Sequence, residues 1–335
     1  MIQSTPLPAD LYAFEPSAER AHFLDQRTRL RLADSLSYIS ARANGQLAVP
    51  PESFAQFISR LKLGPVSPLA FSFYCDLVLA IEGDDLEQAS QLCSDLIRLP
   101  AHSGITNISE LADPSHDATA QRYIRFINTD EAIEFEVSPP SPANAAQCRA
   151  EIQAAFTLMQ AGDPALAGEI RGLLREIILA AGTQDPKAMT FDGVSSFMLW
   201  GAIILNANRR EGELSMVQKL AHESAHNLLF GFSADGSLVE NDDDELFSSP
   251  LRPDPRPMDG IYHATFVTAR MHRVIKRLIE SGVLSAAQKE SARKELDDNA
   301  RLFQNGIATV NQQGKLTSLG KVVMQGASDY MAANA

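Results

Sequence analysis

The segment Leu214–Phe230 constrains this chain more than any other, because it carries His222, Glu223 and His226 within one amphipathic run. These three residues form a His-Glu-x-x-His motif. In an α-helix two histidines four residues apart stand on the same face, one turn from each other. Apolar residues recur at helical spacing in the same run: Val217, Leu220, Leu228 and Leu229. The pattern predicts a helix that is buried beneath a face on which both imidazoles can reach one metal ion.

Composition excludes several classes of partner. The chain has 335 residues, 45% of them hydrophobic, so it can bury a sizeable core. Its net charge of −13 argues against nucleic acid as a partner, since binding to phosphates needs a clustered basic surface. The longest apolar run, Phe197–Leu205, is too short to span a bilayer, so we also expect no membrane partner.

Cysteine usage and the amino terminus indicate the compartment. The three cysteines are scattered and contain no Cys-x-x-Cys, which argues against a disulfide framework or a thiolate zinc site. Residues Met1–Glu19 mix prolines and acids, without the basic start and apolar run of a secretory signal. We therefore predict a cytoplasmic protein.

The periodicity predicts an α+β chain that is mostly helical, with a small β element before the His-Glu-x-x-His helix. Helices are predicted over 17–43, 51–63, 68–81, 84–99, 143–160, 164–181, 260–282, 285–305 and 319–331. A β-hairpin is predicted over 122–138 around Asn128-Thr-Asp, and the stretch 189–205 is β-rich, with a turn at 193–196 and a buried strand over 197–205. Prolines at 139, 140 and 142 predict a boundary: residues 1–140 form a helical N-terminal block with the hairpin, and residues 141–335 the metal-binding catalytic domain.

Two histidines leave a metal site incomplete, and the third ligand decides the chemistry. Glu245, 19 residues after His226, would give the two-histidine, one-glutamate site of many zinc peptidases, with Glu223 as the general base. Glu240 or Asp242 could serve equally. His263, 37 residues after His226, would instead give a three-histidine site, which can hold iron or zinc with positions open to substrate or oxygen.

A proline-rich segment precedes His263. Four prolines within Ser249–Pro257 fix much of the backbone and hold Arg252 and Arg256 in a stiff, extended stretch. Arginines held in this way bind carboxylates through two parallel hydrogen bonds. The alternative is that both arginines form structural salt bridges with the acidic loop Glu240–Glu245.

Taken together, three stretches of the chain resemble the HExxH-motif peptide β-hydroxylases, which are iron(II)- and 2-oxoglutarate-dependent enzymes that modify ribosomally made peptides. The resemblance rests on His222–Phe230, on the continuation Phe247–His263 and on the closing Leu316–Gly320. The continuation, with the pattern Ser-Pro-x-Arg-x-Asp-Pro-Arg-Pro-x-x-Gly-x-x-His, is more specific than the pentapeptide, which zinc peptidases share. The similarity covers residues 214–320 well and is only a general helical likeness before residue 140.

The resemblance implies an oxidoreductase that hydroxylates the β-carbon of a residue in a precursor peptide, with iron(II) as cofactor and 2-oxoglutarate as co-substrate. It implies His222, His226 and His263 as iron ligands, and Arg256 or Arg252 as the partner of the co-substrate carboxylate. Of the two arginines we favour Arg256, which lies between two prolines and seven residues before His263. Glu223 would then orient a ligand, a water or the peptide.

Two other functions fit the residues. The first is a zinc metallopeptidase that uses His222, His226 and Glu245, with Glu223 as general base. The second is a noncatalytic peptide-binding protein in which the metal is structural.

Overall fold

The computed structural model describes residues 10–43, 45–128, 135–183, 190–209, 211–251 and 254–334. The chain divides into two compact units. We call the unit formed by His22–Ala150 and Arg171–Arg210 the sheet unit. The other, formed by Met1–Ala21, Glu151–Ile170 and Glu211–Ala335, is the histidine unit. The predicted domain boundary at residue 140 stays a prediction.

Local signals define the ends of the first helices in the described part of the chain. Asp85 and Asp117 each cap a helix N-terminus by accepting a hydrogen bond from the backbone N–H three residues on, at 2.9 Å and 2.7 Å. Pro51 begins a helix at a position where its missing N–H costs nothing. The helices are α1 (Ala18–Ala43), α2 (Pro51–Leu63), α3 (Leu69–Glu82), α4 (Leu86–Arg98) and α5 (Ala118–Ile127).

The sheet unit is built around a five-stranded sheet. Its strands are β1 (Asn107–Glu110), β2 (Val137–Ser138), β3 (Glu176–Gly182), β4 (Gly193–Ser195) and β5 (Ala202–Asn206). Parallel pairing joins β1 to β3 and β3 to β5, while β4 pairs antiparallel with β5 and β2 antiparallel with β3. The strand order β1-β3-β5-β4 leaves β1 at an edge.

The two central strands are buried on both faces. On one face Ile178 and Ile204 pack in a core with Tyr123, Phe126 and other apolar residues. On the other face Ile177, Leu179, Ile203 and Leu205 are also fully buried. Such strands consist of continuous apolar runs without alternation, as is usual in parallel sheets.

The histidine unit is mainly helical. Its principal helices are α8 (Gly212–Phe232), α9 (Met258–Ser281), α10 (Ala286–Gln313) and α11 (Ser318–Asn334). Earlier in the chain lie α6 (Pro142–Gly162) and α7 (Pro164–Leu173), whose residues 151–170 belong to this unit. Two short strands, β6 (Leu246–Phe247) and β7 (Arg256–Pro257), pair antiparallel between α8 and α9.

A buried network of charges fixes α9. Glu169 accepts hydrogen bonds from Arg20 and from Arg270 of α9, and also from the backbone N–H of Ser17 at 2.9 Å. Arg270 donates in addition to the carbonyl of Phe14 at 2.6 Å. Burial lowers the pKa of Arg270, and the negative charge of Glu169 opposes that shift. Since an unpaired charge would be costly here, the network holds α9 in one position.

The prediction of a mostly helical chain with a small sheet is confirmed. All predicted helices except 164–181 match α-helices, and their ends agree to within a few residues. The one larger difference is α10, which runs eight residues further than predicted, to Gln313. The first arm of the predicted hairpin, Arg122–Ile127, is wrong, because these residues end α5. Ala120, Tyr123 and Ile127 lie on the buried face at helical spacing. A short run of this kind fits both periodicities, and the cap at Asp117 favours the helix. The turn was predicted at 128–130; Asn128 is the residue after α5, and residues 129 and 130 lie outside the described residues.

Two further boundaries need correction. The helix predicted over 164–181 ends at Leu173, and Glu176–Gly182 is the central strand β3. The strand predicted over 197–205 begins only at Ala202, because Phe197–Leu199 form a 3₁₀ turn. The turn predicted at 193–196 is largely the strand β4. A continuous apolar run does not by its own pattern distinguish a buried strand from a buried helix, which explains both errors.

No helix in the described part of the chain combines the length and the apolar character that a bilayer span requires.

Candidate metal centre

The His-Glu-x-x-His residues lie in the middle of α8. Most of this helix is buried, including Val217, Leu220 and Leu228, which are fully covered. His222 and His226 are partly exposed and lie one turn apart on the same side. The helix therefore has a packed face and a face with two imidazoles, as the sequence pattern predicts.

Three imidazoles come together between α8 and α9. The Nε2 atoms of His222 and His226 are 3.1 Å apart, and Nδ1 of His226 lies 3.0 Å from Nδ1 of His263. The rings of His226 and His263 stack, with centroids 5.3 Å apart and planes inclined by 20°. The spacing of four residues brings the first pair together, whereas tertiary packing of α9 brings His263 to them.

His263 is the most buried of the three, with 7% of its surface exposed. Burial lowers the pKa of its imidazole, and the nearby carboxylate of Asp259 opposes this shift. An Oδ2 atom of Asp259 lies 3.9 Å from Nε2 of His263, one helical turn earlier on α9. Burial thus favours the neutral ring, which is the form that binds metal ions.

The donor chemistry of the cluster suits a divalent transition metal, since neutral imidazoles are good ligands for iron and zinc. Two imidazole nitrogens at adjacent positions of one octahedral ion lie roughly 3 Å apart, as the Nε2 atoms of His222 and His226 do. His226, however, presents its other nitrogen to His263. In this arrangement no group of three or more His, Cys, Asp or Glu side chains is placed to hold one ion, within the residues described. A shared ion requires one of the rings to turn.

Glu223 lies beside the cluster and is 4% exposed. Its Oε1 atom is 3.9 Å from Nε2 of His222, too far for a hydrogen bond. A buried carboxylate at this distance can orient an imidazole or a small molecule bound next to it. It can also serve as a general base, as in the peptidase hypothesis.

Two residues that contact the histidines were not predicted from the sequence. The Sδ atom of Met271 lies 3.4 Å from Nδ1 of His222. The ring of Phe230 lies 5.5 Å from that of His263 and 6.4 Å from that of His226, measured between centroids. Both follow helical spacing: Phe230 is four residues after His226, and Met271 is eight after His263. That spacing could have indicated both as residues on the same helix faces.

The arginine segment enters α9 through a short strand. Arg256 pairs with Phe247 across the β6–β7 ladder, and its Nε lies 2.7 Å from Oδ2 of Asp254. Its Cβ lies 3.6 Å from the position that a Cβ on Gly260 would take, one turn before His263. Arg256 is therefore held at the start of the helix that carries His263. Arg252 lies outside the described residues.

The candidate carboxylate ligands lie in the loop after α8. Glu245 is 43% exposed and accepts hydrogen bonds from Lys315 Nζ at 3.1 Å and from Asn241 Nδ2 at 3.0 Å. The hydrogen bond from Asn241 and then that from Lys315 lower the pKa of Glu245. Glu240 and Asp242 belong to the same loop, and both are exposed. Glu245 is thus engaged at the surface, in contrast with His263.

A backbone contact fixes this loop near the end of the chain. Thr317 N donates to Leu238 O at 3.2 Å, and a Cβ on Gly320 would lie only 1.9 Å from the same carbonyl. The hydroxyl of Tyr262, the neighbour of His263, donates to Gly320 O at 2.8 Å. The segment Leu316–Gly320 therefore supports the turn of α9 that carries His263.

The chain matches no protein-family model, and no curated protein matches it. The resemblance to the peptide β-hydroxylases accordingly rests on the residues quoted above.

Proposed function

We propose that this protein is an iron(II)- and 2-oxoglutarate-dependent oxygenase that hydroxylates the β-carbon of a residue in a ribosomally made precursor peptide. The observation that carries the proposal is the cluster of His222, His226 and His263. A ring nitrogen of His226 lies 3.1 Å from one of His222, and its other ring nitrogen lies 3.0 Å from one of His263. Once one ring has turned, three imidazoles on two helices would offer iron a complete set of protein ligands.

The contrast between His263 and Glu245 supports this choice over a zinc peptidase. His263 is buried and stacks on His226, whereas Glu245 is exposed and bound by Lys315 and Asn241. Releasing Glu245 to a metal would break both of these contacts. The third ligand that the geometry favours is therefore a histidine.

Iron(II), when bound by these histidines, would supply the chemistry by which one oxygen atom of dioxygen hydroxylates an unactivated C–H bond and the other converts 2-oxoglutarate to succinate and carbon dioxide. The residues of the chain bind the co-substrate and the peptide and position them at the metal. Arg256, rigid at the start of α9, would neutralise the distal carboxylate of the co-substrate through both nitrogens of its fork. This pairing would compete with the contact that Arg256 makes to Asp254 at 2.7 Å. Buried Glu223 would orient His222 or the bound peptide. This chemistry needs no carboxylate as a general base to activate water.

The remaining predictions fit this activity. Cys75, Cys93 and Cys148 form no disulfide, which suits the reducing cytoplasm in which we expect the protein to act. The net charge of −13 favours a peptide over nucleic acid as the partner.

Mass spectrometry of a precursor peptide tests the proposal. The protein is reconstituted anaerobically with iron(II), mixed with 2-oxoglutarate and peptide, and then exposed to oxygen. We expect the peptide to gain one oxygen atom without cleavage, and only when 2-oxoglutarate is present. Cleavage of the peptide by the zinc-loaded protein, abolished by Glu223→Gln with the metal retained, would instead identify the zinc peptidase.

A further inference from the structure

A cavity of about 800 Å³ lies in the sheet unit, and none of its described lining residues belongs to the candidate metal centre. Its walls are the segment Leu99–Asn107, the edge strand β1, the start of α5 and residues near Ser67. The volume is in the range of cavities that enclose small ligands or a few residues of a peptide. Glu176, the first residue of β3, contributes a carboxylate to the wall.

Two neutral hydroxyl groups hold that carboxylate. Ser67 Oγ donates to Oε1 of Glu176 at 3.0 Å, and the phenol of Tyr123 donates to Oε2. Ser67 and Tyr123 are both buried. Burial, and then the charge of Glu176, raises the pKa of Tyr123 well above its usual value, so the phenol remains a donor. These hydrogen bonds fix the orientation of the carboxylate and leave its negative charge in place.

Acidic side chains outnumber basic ones among the described lining residues of the cavity. Glu110 and Asp117 also line it, and no lysine or arginine is found among its described lining residues. Two arginines contact lining residues without lining the cavity themselves: Arg149 lies 3.5 Å from Glu110, and Arg60 donates to the backbone carbonyl of Leu99 at 3.0 Å. His102 also lines the cavity, and its Nδ1 accepts a hydrogen bond from Gly104 N at 3.0 Å. The hydrogen-bond partners of Glu176 are thus two hydroxyl groups, and no lysine or arginine of the described lining pairs with it.

Apolar side chains accompany the carboxylates. Leu69, Leu99, Ile105 and Leu111 all contribute to the walls, and Ile105 is 74% exposed. A lysine or arginine side chain has the matching structure, since an aliphatic stem carries a positive head. A negative wall with apolar flanks discriminates such a side chain from acidic and neutral ones.

We propose that this cavity binds a basic residue of the peptide substrate, with the ammonium or guanidinium group on Glu176 and the aliphatic stem against Leu69, Leu99 and Ile105. This inference rests on the proposed function, because it takes the ligand to be a segment of the precursor peptide. It adds a specificity determinant in the sheet unit, made entirely of residues from that unit.

Isothermal titration of the full-length protein tests the inference without iron or 2-oxoglutarate. The probe is an N-acetylated, C-amidated pentapeptide of Leu-Leu-Lys-Leu-Gly, compared with the same peptide containing acetyl-lysine. We expect saturable binding of the lysine peptide, weakened at least tenfold by acetylation and reduced by added salt, which screens the charges. A free amine, 1-butylamine, should bind much more weakly than the peptide, because it lacks the flanking apolar contacts.

Glu176→Gln should weaken binding of the lysine peptide at least tenfold, since the glutamine amide has the same shape as the carboxylate but carries no charge. Glu52→Gln, an identical change at an exposed position in the first turn of α2, should leave binding unchanged. Glu110→Gln, at the exposed rim, gives a second test in a variant that keeps its fold, with a smaller loss expected.

Equal binding of the lysine and acetyl-lysine peptides, absence of binding to the lysine peptide, or full affinity in both cavity variants would overturn the inference. Tighter binding of 1-butylamine than of the peptide would overturn it as well. Because none of these measurements involves turnover, loss of the proposed oxygenase activity in a separate assay would leave the outcome of this test unaffected.

Discussion

His263 is the residue on which the choice of chemistry depends. Replacing it with alanine removes one ring from the cluster with His226, to which it lies at 3.0 Å. We expect His263→Ala to weaken iron(II) binding by more than about 100-fold, since even indirect partners of metal ligands contribute 10–100-fold. The measurement is a competitive metal titration under anaerobic conditions. Glu245→Gln is the matched control and should bind iron almost as the wild type does, because Glu245 is exposed and bound to Lys315. The reverse ranking would favour the peptidase.

Arg256 should distinguish co-substrate binding from metal binding. Arg256→Lys keeps the positive charge but loses the planar fork that can hold both oxygens of a carboxylate. We expect the KM for 2-oxoglutarate to rise roughly tenfold or more, as for loss of one charged hydrogen bond, with iron(II) binding almost unchanged. Steady-state kinetics with varied 2-oxoglutarate provide the measurement, and Arg252→Lys is the comparison. If neither variant alters the 2-oxoglutarate dependence, the assignment of an arginine to the co-substrate is wrong.

His272, in α9, should make stability dependent on pH. Burial, and secondarily Lys276, lowers the pKa of His272 to about 4, while Asp297 opposes the shift. The unfolded chain, with an ordinary histidine pKa, binds more protons between pH 6.5 and 4, so this residue destabilises the fold as the pH falls. We expect the free energy of unfolding, measured in urea, to fall between pH 7 and pH 5 by about 2 kcal/mol more for the wild type than for His272→Gln. Parallel losses in the two proteins would show that another group is responsible.

At the scale of elements, Gly320 in α11 controls the position of the loop after α8. A methyl group there would lie 1.9 Å from the carbonyl oxygen of Leu238, so the backbone must move. Gly320→Ala should therefore lower the free energy of unfolding by at least about 2 kcal/mol, and should also weaken metal binding, because the Tyr262–Gly320 hydrogen bond lies next to His263. Chemical denaturation gives the first value. Gly64→Ala is the control, since a Cβ there meets nothing within 4 Å. Equal stability of the two variants would contradict this role.

The helices were predictable from the sequence because their signals are local. Asp85 and Asp117 cap the helices that follow them, and the apolar spacing in α8 was evident. The predicted helix over β3 was wrong, since Ile177 to Ala181 form a continuous apolar run that pairs with strands distant in the chain. Such pairing depends on tertiary contacts, which periodicity does not contain.

The same division applies to the candidate site. The proximity of His222 and His226 follows from helical spacing alone. The approach of His263 depends on how α9 packs against α8; the sequence offered His263 as one of several candidates for the third ligand, and the family resemblance selected it. Met271 and Phe230 could have been placed on the histidine faces by spacing, but their distances of 3.4 Å and 5.5 Å to the rings required the packed helices.

At the scale of the whole molecule, the histidine unit combines three separate stretches of chain. Glu169 joins them, because it binds Arg20 from the first stretch and Arg270 from the third. The position of α9, and with it that of His263, therefore depends on residues more than a hundred positions away. Sequence periodicity could not predict this link, since each of these charged residues taken alone would be expected at the surface.

The measurement that tests the proposed function most directly is oxygen-dependent formation of succinate. The purified protein is reconstituted anaerobically with iron(II), supplied with 2-oxoglutarate and a candidate precursor peptide, and then exposed to oxygen. We expect succinate in proportion to hydroxylated peptide for the wild type and almost none for His263→Ala, with Glu245→Gln close to the wild type. Absence of succinate from iron-loaded protein that cleaves the peptide when loaded with zinc would contradict the three-histidine oxygenase.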